Sequence, residues 1–144
     1  MLYADTSAIV RAYLEDEPQH LWARALLLEG VDPVLTSELA RVEFASAVRA
    51  ANRAARIGAQ QQLLDRFDAD CRSDGPIRLV ILRPDVVLPS AYRLVLDHQL
   101  RTIDAIHLAV ALRHRVELAD MDMAFVTRDA DQAAAAEAMG FDVR

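Results

Sequence analysis

The sequence predicts an α/β fold, a mainly parallel sheet covered by helices on both faces, and three observations predict it. Short strand-like runs alternate with helical segments along the whole chain, the pattern of a parallel sheet wrapped by its connections. No internal repeat, low-complexity linker or charge block interrupts that alternation. The 144 residues, 53% hydrophobic, suffice for one domain (1–144) with a real core.

Each element follows from local chemistry. LYA (2–4) is a short buried strand ending at Asp5, and Thr6 or Ser7 is placed to cap a helix from about Ala8 to Leu14. Pro18 suits the first turn of a second helix, HLWARALLLE, which stops before Gly30. PVLTS (33–37) is the second strand. It runs into the long helix ELARVEFASAVRAANRAARI, which Gly58 is expected to stop, and AQQQLLDRFDADCR opens another. IRLVIL (77–82) is the most strand-like run of the chain. A helix from Asp85 to about His98 follows, its start shortened or its axis kinked by Pro89. Then come a helix over 102–114, the strand AFVT (124–127), a helix over DQAAAAEAM closed by Gly140, and a last strand, FDV.

Composition removes several classes of function. The net charge of −6 argues against a protein that coats nucleic acid with a basic surface, but not against an enzyme that handles it at one acidic, metal-loaded site. All sixteen basic residues are arginines. The absence of lysine excludes Schiff-base chemistry and a phosphate-binding loop ending in Gly-Lys, and weakens a phosphoacceptor signalling role. The four glycines, at 30, 58, 75 and 140, cannot form G-x-G-x-x-G. A single cysteine, Cys71, permits neither an internal disulfide nor a cysteine-based zinc site and fits a reducing cytosol, so a cytoplasmic location is expected. No apolar run is long enough to span a bilayer, and no signal peptide is legible.

The acids carry the chemical signal. In LRTIDAIHLAVALRHR, Asp104 falls on an apolar helix face beside Leu100, Leu108 and Ala111. A buried carboxylate there must be hydrogen-bonded, paired, protonated or metal-bound. Capping by Thr102, with Asp104 in a helix's first turn, is the local alternative. Asp5 directly follows the first strand and Asp129 follows the fourth, and reactive sites of open α/β sheets lie outside the carboxyl ends of strands. Glu43 lies in the long helix on a face lined by Ala47, Ala50 and Ala54, which directs it inward or to a cleft edge; a solvated or ion-paired glutamate is the plainer reading. Four clustered carboxylates repel, by about 4 kcal/mol per pair at ~4 Å in a medium of intermediate dielectric. A hard cation relieves this, so an all-oxygen site favours Mg²⁺ or Mn²⁺ over zinc and suits phosphodiester hydrolysis. Asp120, Asp122 and Asp131 are rivals for the fourth position. His107, three residues after Asp104, is expected to be a packed, hydrogen-bonded histidine rather than a ligand. Arg49, Arg53 and Arg56 form a helical stripe, either a solvated face or a track for a phosphate backbone.

MLYADTSAIVRAYLEDE, SELARVEFASAV, LRTIDAIHLAVA and FVTRDAD, in this order and spacing, resemble a PIN domain of the VapC toxin type over almost the whole chain. The resemblance implies a PIN-like α/β/α sandwich. Its four acids match Asp5, Glu43, Asp104 and Asp129, the last less securely because Asp131 is close, and its hydroxyl position matches Thr6 and Ser7. It further implies a Mg²⁺- or Mn²⁺-dependent endoribonuclease cutting single-stranded or looped RNA such as tRNA or rRNA. A homodimer and a cognate VapB-type antitoxin are implied as partners. Two other readings use the same residues: an RNA-processing PIN nuclease without an antitoxin, and a non-catalytic module whose acids dock an arginine-rich partner.

Overall fold

The computed structural model describes residues 1–119 and 122–144. Five strands form one sheet: β1 (Leu2–Ala4), β2 (Val34–Ser37), β3 (Ile77–Val80), β4 (Ala124–Val126) and β5 (Asp142–Val143). Their order is β3-β2-β1-β4-β5, and every neighbouring pair is parallel, with Leu2 opposite both Val34 and Ala124. The expected α/β class is therefore observed, and the strand runs legible in the sequence all pair.

Parallel neighbours need crossovers, and the helices supply them. α1 (Thr6–Tyr13) and α2 (His20–Leu27) join β1 to β2, and α3 (Leu39–Arg53) and α4 (Gln60–Asp70) join β2 to β3. α5 (Pro84–Asp97) and α6 (Thr102–Glu117) then return the chain to β4, and α7 (Ala130–Ala138) leads to β5. Because strand side chains alternate between faces, the sheet is buried twice. Leu2, Ala4, Ala124 and Val126 pack with Ile9, Tyr13, Phe44 and Phe67 of α1, α3 and α4. Tyr3 and Phe125 point the other way, stacked at 5.5 Å, into Leu94, Leu108 and Ala135 of α5, α6 and α7.

Several element ends differ from expectation, each for a local reason. Asp5, not Thr6 or Ser7, caps α1: its carboxylate accepts the Ala8 N–H at 2.9 Å. Thr102 is the first residue of α6 and supplies no side-chain cap; the flanking residue is Arg101. α3 stops at Arg53, five residues before Gly58, around Ala55 at φ 55°. There the Arg56 N–H bonds Ala51 O and the Ala55 N–H bonds Asn52 O, the paired closure that satisfies a helix's last carbonyls. α5 starts at Pro84, whose missing N–H costs nothing in a first turn, and Pro89 does not shorten it. Pro89 and Asp85 both lie on the exposed face, where solvent can satisfy the carbonyl that Pro89 leaves free. Gly140 does close α7, at φ 79°, and the buried Arg115 donates to the Met139 and Gly140 carbonyls.

Candidate active site

The chain leaves β1 toward β2 and β3, then returns to β4 on the other side of β1. That reversal opens a crevice at the carboxyl ends of β1 and β4, the place where open α/β sheets bind ligands. A pocket of about 790 Å³ sits there, and Asp5, Glu43, Asp104 and Asp129 all line it. The four expected acids, separated by up to 124 positions in sequence, thus face one cavity, and Glu17 lines it as a fifth. Asp131 and Asp122 are exposed and do not line it, and Asp120 lies outside the described residues.

Asp5 is the deepest of the four, 4% exposed. Besides capping α1 it accepts from Ser7 Oγ at 2.8 Å and contacts Thr127 Oγ1 at 3.0 Å. Burial pushes its carboxyl above the ordinary aspartate value, against the pull of the Ala8 N–H, the His107 charge and the two hydroxyls. Thr127 is also tied to Gln132 Oε1 at 2.7 Å, and Gln132 Nε2 donates to the Asp104 carbonyl at 3.0 Å. A buried polar chain therefore links the end of β4 to α7 and to the first turn of α6.

Glu43 is held from two sides. Thr6 Oγ1 donates to its Oε2 at 2.7 Å, and His107 Nε2 lies 2.7 Å from the same oxygen. A carboxylate only accepts, so Nε2 carries the proton. On the ring's other side, the buried Tyr3 hydroxyl lies 3.0 Å from Nδ1. Burial raises the Glu43 carboxyl, but the hydrogen bond and charge of His107, with Thr6, outweigh it and leave the group below its ordinary value. His107 is the packed, hydrogen-bonded histidine the sequence suggested, and it acts on Glu43.

Asp104 and Asp129 share a cation that sequence reasoning passed over. Arg101 Nε lies 3.1 Å from Asp104 Oδ2, and its Nη2 lies 2.7 Å from Asp129 Oδ2. The arginine is 80% exposed while the two acids are 20% and 23% exposed, so it reaches over them from solvent. Burial and the charge of Asp129 raise the Asp104 carboxyl despite Arg101. Asp129 is held low, first by the Gln132 N–H it accepts as cap of α7, then by Arg101. Arg101 stands inside the LRTIDAIHL run. Only the approach of α6 to the β4–α7 turn shows that it reaches both acids.

The donor set suits a hard cation: the carboxylates of Asp5, Glu43, Asp104 and Asp129, with the neighbouring hydroxyls of Thr6 and Ser7 and no thiol, while the fifth lining acid, Glu17, is held by Arg56. Among the described residues no three acids or histidines already converge on one ion position, and Arg101 occupies the charge balance at two of them. None of the stripe arginines Arg49, Arg53 and Arg56 lines the pocket, although Arg56 holds one residue that does, Glu17. α3 ends before Arg56, which instead pairs with Asp16 at 2.5 Å and Glu17 at 2.6 Å, while Ser46, Ala47 and Ala50 form the α3 wall. Cys71 follows α4, away from the cavity, and burial pushes its thiol up to about 11.

A family model for the PIN domain matches residues 2–138, and the chain belongs to that family. Among solved structures, the fold matches Mycobacterium tuberculosis VapC20, described as a sarcin-ricin loop cleaving toxin, with a TM-score of 0.67. The match covers 100% of this chain and 99% of that one at 19% identity, a likeness of fold. None of the curated protein sequences compared with the chain matches it.

Proposed function

We propose that residues 1–144 act as a single PIN domain, a metal-dependent endoribonuclease and the toxin of a VapBC-type pair. The observation that carries this reading is that Asp5, Glu43, Asp104 and Asp129 line one pocket at the sheet's switch point. Mg²⁺ or Mn²⁺ bound there would activate water and neutralise charge on a phosphodiester. The chain's own residues prepare the place. Ser7, Thr127 and the Ala8 N–H fix Asp5; Thr6 and His107 aim Glu43; Gln132 anchors the backbone of Asp104. Swinging away from Asp104 and Asp129, Arg101 would expose both acids to the ion and free its own guanidinium for the substrate.

The substrate class is RNA presented single-stranded or as a loop, tRNA or rRNA; the loop-cutting description of VapC20 favours an rRNA loop. A VapB-type antitoxin is the proposed inhibitor, meeting the acidic pocket with a basic side chain. Homodimerisation is supported by an exposed apolar stripe on α5, Leu88, Tyr92, Val95 and Leu96. No helix among the described residues is long and apolar enough to cross a membrane, and a cytoplasmic location is part of the proposal.

The test is cleavage of a mixed tRNA and rRNA pool by purified protein in Mg²⁺ or Mn²⁺, beside Asp104→Asn. Metal-dependent cutting that disappears in the variant supports the reading. Cutting that survives in EDTA, or in the variant, removes these acids from the chemistry.

A further inference from the structure

Arg11 and Arg128 stand beside the acids, each without an ion-paired acid among the described residues. Arg11 lies one turn after Ser7 on α1, and both residues line the pocket. The Arg128 backbone N–H donates to Ser7 Oγ at 3.0 Å, which lays the β4–α7 turn against that same stretch of α1. Among the described residues neither guanidinium is ion-paired, whereas the neighbouring Arg101 and Arg56 each hold two carboxylates. The Arg128 guanidinium carbon sits 4.1 Å from the centre of the Trp22 ring, which holds its plane, and its Nε is buried without a hydrogen-bond partner. Burial, then the charge of Arg11, weaken the protonated form of Arg128, while Asp5 favours it. Two part-exposed like charges at one edge of the cavity, one of them with a donor unused, suit an anion between them.

We infer that Arg11 and Arg128, with Trp22 as the plate behind Arg128, bind a backbone phosphate of single-stranded RNA next to the phosphodiester at the acidic pocket. The guanidinium fork matches two phosphate oxygens, which a stacked and pre-oriented arginine engages with little loss of side-chain freedom. The acids alone repel the polyanion. This pair supplies attraction at one edge of the cavity and sets which way the strand enters. The inference rests on the ribonuclease reading of the same site.

The experiment measures binding of a short single-stranded RNA by fluorescence anisotropy in EDTA, where no cleavage is expected, over a series of salt concentrations. The full chain is compared with Arg11→Gln, Arg128→Gln, Trp22→Leu and, as a surface control, Arg49→Gln. Each pocket-edge arginine variant should bind about 5–10-fold more weakly and flatten the log Kd against log salt slope by about 0.7. Trp22→Leu should weaken binding with the slope kept, and the control should match the wild type. In Mn²⁺ the arginine variants should raise KM more than they lower kcat. Wild-type affinity and slope in both arginine variants, with melting curves unchanged, overturn the inference and leave the nuclease reading intact. The same result with lost binding of a glutamate-rich peptide would assign the pair to a protein partner instead. A wild-type protein that neither binds nor cuts RNA removes both.

Discussion

His107 Nε2 sits 2.7 Å from Glu43 Oε2, from a ring that is 1% exposed and held on its other nitrogen by the Tyr3 hydroxyl at 3.0 Å. The line from β1 through α6 to α3 sets where the glutamate's free oxygen points. Replacing His107 by alanine should reduce kcat strongly. It should also cost about 1–3 kcal/mol of stability, because the Tyr3 hydroxyl is left buried without that partner. His107→Gln, which can still reach Glu43, should recover part of both in rate assays and denaturant melts; equal loss in the two variants would mean the ring only fills space.

Asp5 gives a pH dependence of defined sign. Its folded-state pKa is raised, so between the ordinary aspartate value of 3.8 and that raised value the native state holds more protons than the unfolded chain. Its contribution therefore falls as pH rises through this window and stays low above it. Asp5→Asn removes the buried charge and should stabilise the metal-free protein near neutrality by on the order of 1 kcal/mol, while abolishing cleavage. Melting temperature against pH for the two proteins checks it: the gap should open as pH rises from 4 and then level off. A gap that narrows with rising pH contradicts the assignment.

Arg101 competes with a metal for Asp104 and Asp129. Arg101→Gln should tighten Mn²⁺ binding several-fold by calorimetry, because no side chain has to be displaced from either acid. It should also move the other way in catalysis if the freed guanidinium meets substrate. Unchanged Mn²⁺ affinity would show that the bridge is a surface contact of no consequence.

The end of α3 carries an alanine where the backbone favours glycine. Ala55 adopts φ 55° within the bond pattern that closes the helix. Ala55→Gly should raise stability by about 0.5–1 kcal/mol, since only the β-carbon is strained there. Chemical denaturation measures it, and a loss of stability would mean the added freedom of the unfolded chain dominates.

Tyr92 is 67% exposed in the middle of the α5 stripe. If that stripe joins two copies, Tyr92→Glu should convert a dimer to a monomer in light scattering with the fold retained by circular dichroism. A wild-type monomer at micromolar concentration would end the proposal at once.

Local chemistry determined most of the architecture. Short strand-like runs flanked by turn residues and alternating with helical stretches located the strands, most clearly at Leu2–Ala4 and Ala124–Val126, where burial on both sheet faces leaves an uninterrupted apolar signature. The edge strands β3 and β5 carry exposed Arg78 and Asp142. The same reasoning placed Asp5 and Asp129 at strand ends and singled out Asp104 as an acid among apolar neighbours. Helix ends were less legible. Ala55 in a left-handed conformation is stabilised by bonds to Ala51 and Asn52 that no single residue announces, so Gly58 drew the expectation instead. What only the tertiary structure decided are the partnerships across sequence. Tyr3 meets His107, Arg101 spans Asp104 and Asp129, and Arg128 stacks on Trp22 beside Arg11. Such contacts depend on strand order and on helix position over the sheet, quantities fixed by packing of the whole core. Residue type shows which side chains can donate, accept or carry charge; the fold decides which of them meet.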